Sequence, residues 1–566
     1  MKQLAFALIL AAALAACINN GTTSTPQAPF TVVEATIPEM QKAMLDGRTS
    51  SRHMVEQYLQ RIALYNSKFN AVITVNPKAL EEADRLDQEH KAGKIRGPLH
   101  GIPIALKDNI LTTDIRTTGG AIAFEDLMPP YDATLAKNLR DAGAVIIAKT
   151  TLTELANFIA AGMPGNYNAV AGYALNPYDP RRDPRPATAD GRPVLNTGGS
   201  SSGAGTAANF WAANVGTETS GSILSPSNQN MLAGIKPTVG RISRYGVIPI
   251  TADQDTAGPM AKSVTDAAIL LGALEGASPD PNDPATRTCQ APPNRDYTPF
   301  LKRDGLKGAR IGIPRANYYD RITPPGEKQP RGGLNEAQAK SMAEAIEVLK
   351  QEGAIVVDAD IPSVVDQDVS RNFLRWEVCR GTDGPKGMDA GCSVVFKYGM
   401  KRDFNKWLAS LGPTAPVKSL TELRHWNLAH AKAGALKYGQ SQLDISDEMD
   451  IEADRTRYEI DRAKDIALSG AHGIDEIMQA ERLDAILFPA GSGAILSARP
   501  GYPTVIVPFA MVANAQTPPI PQAFDAKLSP FGVSFAGTAC SEPRLIALAY
   551  AFEQATKRRL PPASAP

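Results

Sequence analysis

Hydrophobic and polar positions follow two different periods along the chain. Apolar residues recur every three or four positions in "TSSRHMVEQYLQRIALYN" and "NEAQAKSMAEAIEVLKQ", which predicts amphipathic helices. Short apolar runs bounded by turn residues, such as "GIPIALK", "AILFPAG" and "YPTVIVPFA", predict buried strands. Strands that alternate with helices predict an α/β fold with a mixed or parallel central sheet.

Several local patterns give finer predictions. Thr36 and Glu39 have the spacing of a capping box. The segment "TLAKNLRDAGAVIIAKTTLTELA" predicts a helix, a strand and a second helix, and "SEPRLIALAYAFEQAT" predicts a terminal helix capped by Ser541. Residues 176–196, rich in Pro, Arg and Asp, predict a surface loop.

The first residues predict export. Lys2 is followed by an apolar run that ends at Ala16, which is too short to span a membrane comfortably. The run closes with "LAAC", which resembles the lipobox of bacterial lipoproteins, whose cysteine carries the lipid after cleavage. We therefore predict a signal peptide over residues 1–16, lipid attachment at Cys17, and a place on the periplasmic side of the bacterial cell envelope.

The composition also bears on the classes of partner and on the number of domains. Lys plus Arg and Asp plus Glu each number 59, so no net field favours nucleic acid, and we predict no nucleic-acid partner. Polar residues 17–29 predict a flexible tether, and residues 30–562 predict one folded domain.

Cysteine and histidine usage argues against a metal centre. Four cysteines remain after Cys17, and their spacing matches no zinc pattern: Cys289, Cys379, Cys392 and Cys540. An exported protein can pair such cysteines, and Cys379 and Cys392 are near enough in sequence for one bridge. The chain has only six histidines. We predict no catalytic metal and no cofactor.

A Gly- and Ser-rich stretch over residues 196–238 allows several interpretations. It runs into the Ala-rich "AGTAANFWAANVG", which argues against a solvated linker. It lacks the Lys-Ser/Thr of a phosphate-binding loop. "GSSSG" satisfies the G-x-S-x-G pattern of a nucleophile elbow, in which Ser201 would be the nucleophile of an α/β-hydrolase-type esterase. That enzyme needs a late histidine, for which the chain offers His425, His430 and His472.

A fourth interpretation joins two loops and a lysine. "GTETSGSIL" places Ser222 after small residues, whose backbone N–H groups can face a shared cavity as an oxyanion hole does. Lys107 directly follows the apolar run "IPIAL", and burial of an ammonium lowers its pKa. A neutral lysine amine can act as a general base.

These segments resemble the amidase signature family. The resemblance rests on "GIPIALKDNI", "GGSSSG", "VGTETSGSI", "GIKPTVGRISRYGVIPI" and "DTAGPMAKSVTDAA", in the family's order, and flanking segments extend it over nearly all of residues 30–556. It implies the family's fold, a large mixed β-sheet flanked by α-helices on both faces. "SSSG", "GTETSGS" and "DTAGPM" look closest to the peptide amidase branch.

The resemblance implies a role for each matching residue. Ser222 is the expected acyl-forming nucleophile, Ser200 the proton relay and Lys107 the base. The expected oxyanion hole consists of the backbone N–H groups of Thr219, Ser220, Gly221 and Ser222. Support of the serine loop is expected from Ser201 and Ser202, and local backbone hydrogen bonds that fix the lysine turn are expected from Asp108 and Asn109.

The chain departs from the family pattern at three points. The interval from Ser200 to Ser222 is two residues shorter than expected, Ser220 stands where Gly or Asp is usual, and Leu224 and Ser225 occupy the place of a common Arg. These differences concern the substrate pocket more than the chemistry.

The sequence thus predicts a lipid-anchored amidohydrolase that cleaves the C–N bond of small amides or peptide amides through an acyl-enzyme. The esterase stays open as an alternative, as does a binding protein that kept the fold and lost the activity. Replacing Lys107 by Ala separates the amidase from the esterase.

Overall fold

The computed structural model describes residues 29–188, 190–199, 202–380, 391–516 and 518–566. Within them, Val32–Pro566 form one compact unit. The predicted signal peptide and Cys17 lie outside the described residues and stay predictions. None of the described helices is both long and apolar enough to cross a membrane.

An 11-stranded sheet forms the centre of the described residues. Its strands, numbered along the chain, are β1 Val72–Val75, β2 Pro103–Lys107, β3 Val145–Thr150, β4 Ala213–Glu218, β5 Ala233–Lys236, β6 Thr256–Ala261, β7 Arg310–Ile313, β8 Ile355–Asp358, β9 Ala485–Pro489, β10 Thr504–Val512 and β11 Ser529–Ala536. Their spatial order is β1-β3-β2-β4-β6-β5-β10-β11-β9-β7-β8. Parallel pairs join β2 to β3 and β4, and β7 to β8 and β9, while the other pairs are antiparallel.

Helices flank this mixed sheet, which confirms the predicted fold class. They are α1 Ile37–Leu45, α2 Ser51–Phe69, α3 Ala79–Lys91, α4 Thr134–Asp141, α5 Ser202–Ala207, α6 Leu224–Gln229, α7 Val264–Leu274, α8 Glu336–Gln351, α9 Pro362–Val365, α10 Val395–Ser410, α11 Leu420–Ala429, α12 Ser441–Asp447, α13 Arg455–Ile466, α14 Asp475–Ala480, α15 Ala494–Ala498 and α16 Glu542–Thr556.

Polar residues at the helix ends behave largely as the sequence predicts. The capping box at α1 is present, with the Thr36 side chain accepting from Glu39 N and the Glu39 carboxylate accepting from Thr36 N. The terminal helix α16 also forms, and Ser541 occupies its N-cap position as predicted, but the Ser541 side chain makes no capping hydrogen bond. Its hydroxyl donates to Thr538 O at 2.7 Å, and Arg544 N and Leu545 N donate to the Ser541 carbonyl oxygen.

The second helix predicted after β3 does not form. A short 3₁₀ turn occupies Glu154–Asn157, where Leu155 and Ala156 have φ angles of 44° and 56°. Leu155 N donates to Gly119 O, and the Glu154 carboxylate accepts from Ala169 N. Bonds to neighbouring loops thus replace the i→i−4 bonds of a helix.

Residues 176–188 and 190–196 are irregular, as predicted for a loop, and they are tied to the segment after β10. Arg181 lies 4.2 Å from the ring centroid of Phe524 and donates to its carbonyl oxygen. The Asp179 carboxylate accepts from Lys527 N at 3.1 Å. These contacts join parts of the chain that are more than 300 residues apart.

Candidate active site

Lys107 ends β2 at the edge where β2 and β4 run parallel, in register at Leu106 and Val215. The carboxyl ends of parallel strands meet at one edge of a sheet, which brings Lys107 beside the residues that end β4. Its side chain is fully buried. The Nζ atom donates to Thr217 Oγ1 at 2.9 Å and to Thr217 O at 3.2 Å.

Burial sets the charge state of this lysine. Desolvation lowers the pKa of Lys107 from 10.5 to about 7, although the negative charges of Asp255 and Glu218 favour the ammonium. A lysine with this pKa is partly neutral at neutral pH. It can therefore accept a proton, as the sequence predicts.

The loop after β4 carries Ser222, which is half-buried. Gly221 has a φ of 100°, a backbone conformation that favours glycine. The buried Glu218 carboxylate accepts from Ile223 N at 2.7 Å and from Leu224 N at 3.0 Å. Both ends of the loop are thereby held together by one side chain.

Thr219, at the start of this loop, is held at two atoms. Its hydroxyl donates to Asp255 Oδ1 at 2.5 Å, and its carbonyl oxygen accepts from Gln254 Nε2 at 3.2 Å. Asp255 also accepts from Ile250 N, and burial raises the pKa of this carboxyl group to about 7.

The Gly- and Ser-rich loop lies against the Ser222 loop. Gly198 has a φ of 86°, and a Cβ there would lie 2.4 Å from Pro226 N. A Cβ on Gly199 would lie 2.9 Å from Ser222 Oγ. The chain therefore passes close to the Ser222 hydroxyl just before Ser200. Ser200 and Ser201 themselves lie outside the described residues, and the relay role of Ser200 stays a prediction.

A local backbone bond closes the lysine turn, because Ile110 N donates to Lys107 O at 3.0 Å, but the side chains of Asp108 and Asn109 bond to residues outside it. The Asp108 carboxylate accepts from the N–H and hydroxyl of Thr118 and lies 3.8 Å from Lys149 Nζ. Asn109 Nδ2 donates to Thr217 Oγ1 at 3.0 Å. The local bonding predicted for this turn is therefore present in the backbone only, and the side-chain bonds reach Lys149 and Thr217 because β3 and β4 lie on either side of β2.

Sequence reasoning missed several polar residues of this site: Thr217, Glu218, Gln254 and Asp255. Their only signal is that polar side chains stand in short segments that are otherwise small or apolar. Periodicity cannot show that the segment before β6 folds against the segment after β4.

The late histidines have contacts of their own. His472 lies between Asp366 and Glu476, at 2.9 and 2.8 Å. His430 stacks on Trp426, and His425 is exposed on α11. Among the described residues, no cluster of three or more His, Cys, Asp or Glu side chains is arranged to hold a metal ion.

All four cysteines that follow Cys17 are paired. One disulfide joins Cys289 to Cys540 and the other joins Cys379 to Cys392. The second is the bridge that the sequence spacing allows.

The Amidase family model matches residues 53–546. The chain belongs to the amidase family. It is an amide hydrolase, and the esterase alternative has no support in this match.

Similar amidases span nearly the whole chain. A probable amidase of Arabidopsis thaliana is 33% identical over 565 residues, which cover 98% of this chain and 96% of that protein. The peptide amidase of Stenotrophomonas maltophilia is 34% identical with a TM-score of 0.78, over 95% of this chain and 100% of that one. An amidase family protein of Bacillus anthracis is 29% identical with a TM-score of 0.75, over 94% and 92%.

Proposed function

We propose that this amidase works through Lys107, Ser200 and Ser222. The observation that carries the proposal is the fully buried Lys107, whose pKa falls to about 7 at the edge where β4 leads into the Ser222 loop. The approach of Gly199 to Ser222 Oγ supports a relay by the next residue, Ser200.

The proposed reaction begins with attack of Ser222 Oγ on the amide carbon. The Ser222 proton passes to Ser200, whose own proton passes to the neutral amine of Lys107. The carbonyl electron pair moves to oxygen, where N–H groups of Thr219, Ser220, Gly221 and Ser222 stabilise it. As the C–N bond breaks, the Lys107 ammonium returns a proton through Ser200 to the leaving nitrogen. Water then attacks the acyl-enzyme by the same proton route, releasing the acid and restoring Ser222.

The proposed substrates are neutral small amides or the terminal amides of peptides. The identity of about one third with a peptide amidase over almost the whole chain supports peptide amides. Leu224 and Ser225 follow the proposed nucleophile, and neither carries a positive charge. Their neutrality argues against a substrate whose carboxylate is bound by a cation at that point. We propose no nucleic-acid partner, because the chain carries no net charge.

Substitution of each proposed residue tests the mechanism. We expect Lys107→Ala, Ser200→Ala and Ser222→Ala to lose ammonia release from a panel of amides and amidated peptides, and Ser222→Ala to lose labelling by a fluorophosphonate. Ser227→Ala removes a buried hydroxyl from α6, and Lys236→Met removes a second buried lysine, so both serve as controls. Full activity in Lys107→Ala, with both controls folded, contradicts the proposal.

We also propose export and lipid anchoring at Cys17. The two disulfides support an oxidising compartment, because thiols stay reduced in the bacterial cytosol. In a bacterial host, metabolic labelling with a fatty acid should label the wild-type protein and leave the Cys17→Ser variant unlabelled. A wild-type chain that takes up no label and stays in the cytosolic fraction contradicts this part.

A further inference from the structure

Gln254 is a buried side chain that makes one hydrogen bond to the part of the chain that the structure describes, and this bond is made to the proposed oxyanion loop. The residue is 1% exposed. Its Nε2 donates to Thr219 O at 3.2 Å, while its Oε1 accepts no hydrogen bond from any described residue. An amide buried with an unpaired acceptor costs stability. Gln254 therefore adds little to the stability of the fold, because the cost of burying its unpaired acceptor offsets the gain from its hydrogen bond.

The geometry of a peptide unit shows what the bond achieves. In a planar trans peptide, the carbonyl of one residue and the N–H of the next point to opposite sides. A donor that holds Thr219 O on the Gln254 side therefore turns Ser220 N–H to the other side. The Asp255 carboxylate holds the Thr219 hydroxyl as well, so the residue has little freedom to rotate.

We propose that Gln254 is a positioning residue, which fixes the Thr219–Ser220 peptide so that its N–H donates to the oxyanion. The inference rests on the proposed function, because it takes Ser222 as the nucleophile and the loop before it as the oxyanion hole. Gln254 acts through Thr219 and touches neither the reacting carbon nor the leaving nitrogen.

Substitution by leucine separates positioning from a structural role. Gln254→Leu keeps most of the volume and removes the donor together with the unpaired acceptor. We expect kcat to fall about 10- to 100-fold, less than the ~100- to 1000-fold loss of a direct oxyanion donor. KM should change little, because the oxyanion forms after the substrate binds. The melting temperature should change little, because removal of the buried amide with its unpaired acceptor offsets the loss of the donor to Thr219 O.

A peptide aldehyde adds a readout that folding alone does not change. Its hemiacetal with Ser222 carries an oxyanion, so its inhibition constant should rise by the same factor as kcat/KM falls. The matched control is Gln440→Leu, because Gln440 is also buried and donates to a backbone carbonyl away from the site, that of Arg424 in α11, at 3.4 Å. Gln254→Met serves as a second variant if leucine lowers the melting temperature.

The outcomes are distinct. Unchanged kcat in both Gln254 variants, or lower kcat with unchanged aldehyde affinity, overturns the positioning role and leaves the proposed function intact. Full amide hydrolysis in Ser222→Ala overturns the proposed function instead, and this inference with it.

Discussion

Replacement of Lys107 by methionine should stabilise the fold while it removes the proposed base. The pKa of Lys107 falls from 10.5 to about 7 on burial, and each pKa unit corresponds to ~1.4 kcal/mol. At pH 7 and below, burial of this group therefore costs about 5 kcal/mol of unfolding free energy. Methionine keeps an unbranched stem but leaves Thr217 O without its donor. We expect a net gain of about 3 kcal/mol at pH 6.

The pH dependence makes this expectation specific. Between pH 7 and 10.5 the unfolded lysine binds a proton that the folded one has lost, so wild-type stability rises with pH by ~1.4 kcal/mol per unit. Below pH 7 both forms are protonated and the slope vanishes. The methionine variant lacks this titration, and its advantage should shrink by about 2 kcal/mol between pH 7 and 9.

Urea denaturation at pH 6, 7, 8 and 9 measures this difference, and the other titrating groups cancel between the two proteins. Lys236→Met is a matched control, because burial lowers the pKa of Lys236 to about 8. Its advantage should begin to shrink one pH unit higher. A constant difference between wild type and Lys107→Met over the whole range would refute a neutral Lys107.

Two further predictions concern the site and the disulfides. Thr217→Val removes one acceptor of the Lys107 ammonium, so the pKa of Lys107 should fall by about one unit. The acid limb of the kcat/KM profile should then move from about pH 7 to about pH 6. An acid limb that does not move contradicts Lys107 as the base. The disulfides Cys289–Cys540 and Cys379–Cys392 span 251 and 13 residues. Replacing each pair by serines should lower the unfolding free energy by about 5 kcal/mol for the first and about 3 kcal/mol for the second. Equal denaturation midpoints of the two variants would argue against loop length as the cause.

Strands rich in branched residues were predictable from the sequence, and strands rich in small residues were not. β3 and β10 carry runs of Val and Ile, which favour extended backbone. By contrast, β4, β5 and β6 read "ANVGTE", "AGIK" and "TAGPMA", with little intrinsic strand preference. Their neighbours on both sides of the sheet determine their conformation.

The candidate site likewise contains residues that the sequence indicates and contacts that it does not. Lys107 and Ser222 could be singled out because they stand in long segments that resemble the amidase signature family. A glycine suits position 221 because the backbone there has a positive φ. The contacts of Thr219 with Gln254 and Asp255 join residues 35 and 36 positions apart. No local pattern encodes them, and they exist only once β4 and β6 have paired.

The way α6 is packed has a consequence for synthesis of the protein. This helix, which follows Ser222, packs on β10 and β11, and β5 pairs with β10. Both partner strands follow α6, which ends at Gln229, and begin only at Thr504 and Ser529. A ribosome makes them long after α6, so a growing chain lacks the part of the packing beneath the Ser222 loop that β10 and β11 supply. We therefore expect nascent chains to hydrolyse no amides until β10 and β11 have emerged.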